Sequence, residues 1–358
     1  MDVALEIVRP TAQAGKHRAS LAVRRRRRYR LRMARTLTAR IERYAVRGSF
    51  IISRGAKRHV DVVIAEVRDG ALTGRGEGTA IYYHGESAET VLAAILAQAD
   101  AVATGVSRAD LLTIMPAGAA RNALDAALWD IEAKASGVPV WQTLGLPKPM
   151  PLLTAFTISL GEPGIMEADA RAVSGRELLK LKLSGDGDIE RIDAVRRGAP
   201  DARLVVDANE AWGGEDIERL AHQLERFRIE LIEQPVPAGQ DALLDGVRSP
   251  IALCADESCH DRASLGELIG RYSFINIKLD KAGGLTEAHA LAHAAKQRGF
   301  GLMTGCMLST SLGIAPAFNI AMQSQFADLD GPLLIEDRAA GLRFEGSDVW
   351  PPERALWG

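Results

Sequence analysis

The feature that most constrains the fold is a series of eight apolar, β-rich runs, each of which ends in a polar or ionisable residue. Amphipathic stretches such as 216–227 and 287–298 lie between the runs, so strand and helix alternate along the chain. The run ends are Thr157, Lys182, Asp207, Glu233, Asp256, Lys278, Cys306 and Asp328, and successive ends are 22 to 28 residues apart. Eight strand–helix units at this spacing predict a barrel of parallel strands surrounded by helices.

The first part of the chain has a different texture from the barrel repeats. Residues 36–70 alternate between apolar and polar as antiparallel strands do, and from Ser87 onward alanine and leucine recur at helical spacing. We therefore predict an α+β capping domain over residues 36–150 and a catalytic barrel over residues 151–330. Part of the C-terminal segment, 331–358, is expected to belong to the cap.

Residues 1–35 form a basic N-terminal extension. Residues 1–32 contain ten Lys/Arg and two Asp/Glu, and Arg24 to Arg28 are five consecutive arginines. Like charges at this density repel each other, which predicts disorder. The arginines could serve nucleic-acid binding, but we favour a dispensable extension, with Met1 and Met33 as alternative starts. An export signal is not expected, because no apolar run follows the arginines.

Composition limits the class of protein further. The chain is 47% hydrophobic and 25% charged, which is typical of a soluble globular protein and does not indicate a membrane protein. We expect no membrane or nucleic-acid partner. Its three cysteines form no CxxC pair and no zinc-finger spacing, and their odd number argues against a disulfide framework. We expect a cytoplasmic protein.

Three carboxylates at neighbouring strand ends predict a metal site. Asp207, Glu233 and Asp256 end the third, fourth and fifth runs. Side chains at the C-terminal ends of barrel strands converge on one mouth, so these three can meet. Three oxygen donors without a thiol or imidazole favour Mg²⁺, with Mn²⁺ as a substitute.

Two lysines are expected to face each other across the same mouth. Lys182 and Lys278 end the second and sixth runs, which are opposite in a ring of eight, and Lys180 points to the same interior as Lys182. Like charge and partial desolvation should lower a lysine pKa and create a general base. With a metal stabilising an enediolate, two such lysines predict a 1,1-proton transfer, although an elimination could use the same groups.

The residues around these positions resemble those of the enolase superfamily, in its muconate-lactonising subgroup. The matching segments are Lys180-Leu181-Lys182, Asp207-Ala208-Asn209, Glu233-Gln234-Pro235, Asp256-Glu257-Ser258 and Asn276-Ile277-Lys278. The resemblance covers about residues 36–350. It implies an α/β fold, a (β/α)7β modified TIM barrel with an α+β capping domain.

Within this subgroup the chain looks most like the dipeptide epimerases. Asp328-Leu329-Asp330, at the end of the eighth run, matches the DxD pair that holds the α-ammonium of a dipeptide in those enzymes. A carboxylate pair would repel a purely anionic substrate, so it implies a cationic group. The resemblance implies an isomerase that epimerises L-Ala-D-Glu and L-Ala-L-Glu at the glutamate α-carbon, in the recycling of murein peptides.

The resemblance also implies roles for individual residues. Lys182 and Lys278 would be the acid/base pair, and Asp207, Glu233 and Asp256 the Mg²⁺ ligands. The dipeptide would be lined by Thr157, Lys180, Cys306, Leu308, Asp328 and Asp330, with Asn209, Gln234 and Glu257 behind the ligands. The cap loop 49–59 would supply a cation for the glutamate side chain; we include Arg54 in the predicted site and keep Lys57 and Arg58 as alternatives.

Other functions remain open from the sequence. The nearest alternative is another enolase-type reaction, N-acylamino-acid racemisation or o-succinylbenzoate synthesis. A remote alternative is nucleic-acid binding through the arginine tract. The sequence leaves open how strictly glutamate is required at the second position of the dipeptide, and a homo-oligomer is compatible with it.

Overall fold

The computed structural model describes residues 35–52, 55–337 and 341–358. Residues 1–34 of the predicted basic extension lie outside the described residues, and so does Arg54 of the predicted substrate site.

An antiparallel sheet of three strands opens the described part of the chain. Its strands, paired in this order, are β1 (Thr36–Ile52), β2 (Gly55–Asp69) and β3 (Leu72–Thr79). The register between β1 and β2 shifts between Ala45 and Phe50, close to the cap loop. The predicted antiparallel sheet is confirmed, but β3 was not predicted, because its alternating glycines give it no apolar periodicity.

Helices complete the cap. They are α1 (Ala88–Leu96), α2 (Ala99–Ala103), α3 (Arg108–Ile114), α4 (Ala119–Ser136) and α5 (Val140–Thr143). The longest of them, α4, packs directly on the backbone of β3. A Cβ at Gly74, Gly76 or Gly78 would overlap the α4 backbone, so only glycine permits this close approach.

The barrel strands follow a short strand, β4 (Leu152–Leu153). They are β5 (Phe156–Ile158), β6 (Leu178–Lys182), β7 (Arg203–Asp207), β8 (Ile229–Glu233), β9 (Ala252–Ala255), β10 (Phe274–Ile277), β11 (Gly301–Thr304) and β12 (Phe326–Ala327). All neighbours are parallel. The Ala155 N–H donates to the Ala327 carbonyl at 2.8 Å, which brings the start of the first barrel strand against the last.

Helices connect most of these strands. They are α6 (Pro163–Ala172), α7 (Asp188–Gly198), α8 (Ile217–Leu224), α9 (Leu265–Leu268), α10 (Leu279–Ala282), α11 (Leu285–Gln297) and α12 (Ser311–Ala321). A further helix, α13 (Gly331–Leu334), follows the last strand. The β8–β9 connection differs from the predicted pattern, since it contains a 3-10 turn, Asp241–Leu244. Within the described ranges no helix is both long and apolar enough to cross a bilayer.

The barrel interior changes character along its strands. Its N-terminal end is filled by a cluster of apolar side chains, Ala155, Leu178, Val205, Leu231, Cys254, Met303 and Phe326. Two residues further along four of these strands, on the same face, stand Lys180, Asp207, Glu233 and Asp256. All four ionisable side chains are buried, so the C-terminal end of the barrel gathers the charge.

The C-terminal segment contacts both halves of the molecule. Strands β13 (Phe344–Glu345) and β14 (Asp348–Val349) form a small sheet with β4. Further on, the Trp357 indole N–H donates to the Ala126 carbonyl of α4 at 3.0 Å. These contacts are compatible with a segment shared between cap and barrel, while the domain division itself stays a prediction.

Candidate active site

Three buried carboxylates meet at the C-terminal end of the barrel. Asp207 and Glu233 are the last residues of β7 and β8, and Asp256 directly follows β9. One oxygen from each lies within 4.8 Å of the others, an arrangement that could hold a metal ion. Burial and the charge of Asp207 raise the pKa of Glu233 to about 8. A hard divalent cation fits this crowded set of oxygen donors.

Neighbouring side chains hold these carboxylates in place. The Asn209 backbone N–H donates to Asp207 Oδ1 at 2.9 Å, and Asn276 Nδ2 donates to Glu233 Oε1 at 2.7 Å. Gln234 Oε1 accepts from the backbone N–H of Asp256 at 2.8 Å. Asn209 and Gln234 have φ values of 44° and 35°, in the left-handed region. This cost in backbone strain indicates that the turns after β7 and β8 are constrained by the site.

Lys180 lies behind the carboxylates. Its ammonium nitrogen is 2.6 Å from Glu233 Oε2, 2.8 Å from Asp328 Oδ2 and 3.3 Å from Asp207 Oδ2. Burial by itself opposes its charge, but these acids more than offset the burial and raise the pKa of Lys180 well above its ordinary value. Lys180 therefore neutralises buried acids, and it is fully buried.

Lys182 and Lys278 occupy different positions from Lys180. Lys182 Nζ is 2.6 Å from Asp207 Oδ2, and Lys278 Nζ is 2.5 Å from Asp256 Oδ2. Their side chains retain 10% and 9% exposure, and both line one cavity of about 60 Å³. Because the two lysines line the same small cavity and pair with different carboxylates, both can act on one substrate.

The expectation of a lowered pKa for the Lys180/Lys182 pair is wrong for Lys180, whose pKa is raised, and the pKa of Lys278 is raised as well. Burial favours a lower pKa, but the negative charge of Asp256 outweighs it, and the pKa of Lys278 is raised well above its ordinary value. Like charge and burial alone would lower the pKa of these two lysines, but the carboxylates that they contact reverse the direction.

The cavity is bounded by both the barrel and the cap. Its lining comprises Phe50, Lys57, Tyr82, Tyr83, Lys182, Asn209, Glu257, Lys278, Cys306, Met307 and Leu308. Of the predicted substrate residues, Cys306 and Leu308 are thus on its wall. The others that the structure describes, namely Thr157, Lys180, Asp328 and Asp330, are not among the lining residues.

The Asp328/Asp330 pair lies beside Lys180 and the first barrel strand. Asp330 Oδ2 accepts from the Thr157 backbone N–H at 2.7 Å, which joins two predicted substrate residues. Burial and the charge of Asp328 raise the pKa of Asp330 to about 7. Asp328 Oδ2 pairs with Lys180, whereas its buried Oδ1 has no hydrogen-bond partner among the described residues. A buried carboxylate oxygen without a partner is uncommon in folded proteins.

One cation of the cap loop reaches the cavity within the described residues. Lys57 is on its wall, and its ammonium lies 4.9 Å from the centre of the Tyr82 ring. Burial lowers the pKa of Lys57. Arg58 lies instead in a surface groove beside the cap.

Comparison with known proteins agrees with this architecture. Residues 34–145 match the N-terminal domain of the mandelate racemase/muconate lactonizing enzyme family, and residues 165–347 match the enolase C-terminal domain-like family. The chain belongs to the enolase superfamily. Its match to solved enolase-superfamily structures extends over nine tenths of the chain, so the modified TIM barrel with its cap is confirmed.

Two relatives within the superfamily carry names that bear on the reaction. The L-Ala-D/L-Glu epimerase of Escherichia coli (strain K12) is 43% identical over 318 residues, which cover 88% of this chain and 99% of the relative. The N-acetyl-D-glutamate racemase of a Pseudoalteromonas species is 44% identical over 250 residues, which cover 70% and 79%.

Two solved superfamily structures carry ligands. An enolase family member from Agrobacterium tumefaciens, with sodium and L-Ala-L-Glu, has a TM-score of 0.88 and 51% identity, covering 90% of this chain and 100% of that one. A dipeptide epimerase from Cytophaga hutchinsonii, with Mg and D-Ala-L-Val, has a TM-score of 0.83 and 28% identity, covering 91% and 95%. Both are bound to dipeptides.

No role at this enolase-superfamily site was predicted from the sequence for Lys281 or Asn276. Lys281 Nζ lies 2.5 Å from Asp256 Oδ1, and Asn276 Nδ2 donates to Glu233 Oε1. Asn276 carried a usable signal, because it precedes Lys278 by two residues and must share its face. Lys281 lies in the one-turn helix beyond the strand, where strand alternation gives no guidance.

Proposed function

We propose that this protein is an L-Ala-D/L-Glu epimerase that moves a proton on and off the glutamate α-carbon. The observation that carries the proposal is the pair Lys182 and Lys278, which line one cavity from β6 and from the end of β10. The 43% identity to a named L-Ala-D/L-Glu epimerase supports the same reaction.

Asp207, Glu233 and Asp256 would hold Mg²⁺, for which Mn²⁺ would substitute. When bound, the cation supplies positive charge that stabilises the enediolate developed from the substrate carboxylate. A buried set of three oxygen donors supports this assignment.

The two lysines would share the proton transfer. In one direction Lys182 removes the α-proton and Lys278 returns a proton to the opposite face; in the other direction their roles exchange. The lysine that removes the proton must be a neutral amine, whereas the lysine that returns a proton must be an ammonium group. The ion pairs with Asp207 and Asp256 favour the ammonium form, so the lysine that acts as base must be released from its ion pair and lose its proton first. The planar carbanion between them would then be protonated on the face opposite to the one that lost its proton, which inverts the α-carbon.

The Asp328/Asp330 pair would bind the α-ammonium of the dipeptide. The unpartnered, buried Asp328 Oδ1 supports a donor from the ligand at this position. Thr157, Cys306 and Leu308 would complete this side, with Asn209, Gln234 and Glu257 supporting the ligand turns.

Lys57 would bind the distal carboxylate of glutamate. It is the described cap-loop cation on the cavity wall, and a half-desolvated ammonium attracts a carboxylate strongly. Arg54 stays a predicted contributor from the same loop. An enzyme with this specificity would act in the degradation of murein peptides in the cytoplasm.

N-acetyl-glutamate racemisation is the second candidate, because a racemase with that substrate is 44% identical over 70% of the chain. The two substrates share the glutamate but differ in the α-ammonium, which only the dipeptide carries. The Asp328/Asp330 pair favours the dipeptide.

A deuterium-exchange experiment tests both candidates. The full chain with Mg²⁺ in D₂O is incubated with L-Ala-L-Glu, L-Ala-D-Glu, N-acetyl-L-glutamate, N-acetyl-D-glutamate and a library of other dipeptides. Mass spectrometry then detects the gain of one mass unit at the α-carbon. We expect exchange in the two L-Ala-Glu isomers. Exchange confined to the N-acetyl compounds would replace the proposal by the second candidate, and no exchange in any compound would contradict both.

A further inference from the structure

A fourth lysine contacts the carboxylate triad without reaching the cavity. Lys281, on α10, is 1% exposed, and its ammonium donates to Asp256 Oδ1 at 2.5 Å, to the Asp256 carbonyl and to the Asn276 carbonyl at 3.2 Å. These three acceptors use all three N–H bonds of the ammonium group. Lys281 therefore has no donor left for a substrate.

Lys281 and Lys278 contact different oxygens of the Asp256 carboxylate. Lys281 takes Oδ1 from inside the protein, and Lys278 takes Oδ2 from the cavity side. Two strands away, Asp207 also contacts one lysine on the cavity, Lys182, and one fully buried lysine, Lys180, both through Oδ2. Each proposed acid/base lysine is thus matched by a buried lysine on the same carboxylate.

The turn that carries Lys281 is fixed by the cap. Asp280 Oδ1 accepts from the Thr79 backbone N–H of β3 at 3.0 Å, and Arg121 of α4 donates to the carbonyls of Ala282 and Gly283 at 2.8 and 2.9 Å. Gly283 has φ 74°, and a Cβ there would lie 2.6 Å from the Arg121 guanidinium. A turn held this tightly can place an ammonium group within a fraction of an ångström.

We propose that Lys281 is a positioning residue that fixes Asp256 through Oδ1 so that Oδ2 remains directed at the proposed metal and at Lys278. This inference rests on the proposed role of Asp256 as a metal ligand. Lys281 itself touches neither substrate nor reacting atoms. Outer contacts of this kind orient the ligands of a metal site, and their loss typically weakens metal binding by about 10- to 100-fold.

The test measures metal binding directly. Purified full chain and its Lys281→Met variant are titrated with Mn²⁺, and free Mn²⁺ is counted from its electron paramagnetic resonance signal. We expect the dissociation constant to rise by about 10-fold or more in Lys281→Met. Removing the positive charge of Lys281 would by itself strengthen the attraction of the site for a cation. A weaker affinity for Mn²⁺ therefore indicates a misplaced ligand.

A second variant and a matched control complete the design. Lys281→Gln keeps an N–H donor without the charge, and it should recover part of the lost affinity. Lys134→Met removes another Lys–Asp pair, in which Lys134 Nζ contacts Asp130 Oδ2 at 2.7 Å in the cap, and it should bind Mn²⁺ as the wild type does. Circular dichroism establishes that each variant is folded; if Lys281→Met is not, the Lys281→Gln titration decides.

The outcomes separate this inference from the proposed function. Unchanged or tighter Mn²⁺ binding in both Lys281 variants would overturn the role of Lys281, and so would a wild type that binds no Mn²⁺. A wild type that binds Mn²⁺ but exchanges no dipeptide proton would contradict the epimerase proposal alone.

α-Proton exchange of each L-Ala-Glu isomer at saturating Mn²⁺ gives a second readout. In Lys278→Ala, exchange should slow more for one isomer than for the other, and Lys281→Met should slow the exchange of that same isomer most. Equal slowing of exchange for both isomers would count against the inference.

Discussion

The two ends of the barrel interior are built from the same strands and have opposite characters. Leu231 and Glu233 are two residues apart on β8, face the same interior and are both completely buried. Burying the leucine contributes about 2 kcal/mol to folding, whereas burying an ion costs several kcal/mol before its partners offset it. One end thus stabilises the barrel, and the other holds charges that a stable fold does not need. This difference points to a chemical function for the charged end. Substitutions at the apolar end should therefore change stability, and substitutions at the charged end should change activity.

The largest effect is expected at the charged end, from Lys182→Ala and Lys278→Ala. Each removes one of the two proposed proton-transfer groups, so epimerisation should fall by about 10²- to 10⁴-fold or more. Chiral chromatography of L-Ala-Glu after incubation measures the turnover. Both variants should retain the wild-type circular dichroism spectrum and bind Mn²⁺. Normal epimerisation by both would refute the two-base mechanism.

The converse effect is expected at the apolar end, from Leu231→Ala. The side chain lies in the cluster that fills the barrel, so its truncation should lower the free energy of unfolding by about 3 kcal/mol. Urea unfolding followed by circular dichroism gives this value. The kcat/KM of the folded variant should stay within about twofold of the wild type, since transition-state contacts are untouched. A large loss of kcat/KM in a folded Leu231→Ala protein would erase the distinction between the ends.

Asp330→Ala sharpens the comparison within the charged end, because it removes a carboxylate proposed to bind substrate without moving protons. Loss of a hydrogen bond to a charged group is worth about 1.5–3 kcal/mol, so kcat/KM for L-Ala-Glu should fall by about 10- to 100-fold. Initial rates over a range of dipeptide concentrations provide this ratio. The Asp330→Asn variant keeps an acceptor for the Thr157 N–H and should lose less. Equal activity of wild type and Asp330→Ala would instead favour a substrate without an α-ammonium.

A pH-dependent effect on stability is expected from Glu77, a buried acid of β3 that contacts Thr310 outside the cavity. Burial raises its pKa from 4.5 to about 8. Between these values the folded state holds a proton that the unfolded state has lost, so this group makes stability decline as pH rises. The wild type should therefore lose stability relative to Glu77→Gln by up to about 1.4 kcal/mol per pH unit between pH 5 and 8. Urea unfolding at each pH provides the curves, and parallel curves would contradict the effect.

The sequence predicted the charged end better than it predicted the contacts around it. Asp207, Glu233 and Lys278 could be placed because strand alternation and barrel closure are regular, so residues at equivalent strand ends must converge. The raised pKa of Lys278 could not be anticipated, since it depends on the exact approach of Asp256 from the neighbouring strand.

Elements without an apolar pattern were also not predicted from the sequence. Strand β3 was missed because its buried face is glycine, which has no side chain to produce a periodic signal. Lys281 was missed because its turn is positioned by Arg121, a residue 160 positions away in sequence.

The glycine face of β3 has a consequence for the evolution of the molecule. With α4 seated on the glycine side, the side chains of β3 beyond Thr73 project from the other side: Arg75 reaches the C-terminal segment, Glu77 the start of α12, and Thr79 the Leu308 carbonyl. A cap taken from another protein would bring a strand whose outward residues do not match this barrel. New specificities should therefore arise by substitution in the loops at the mouth, such as residues 49–59, rather than by exchange of the cap as a module.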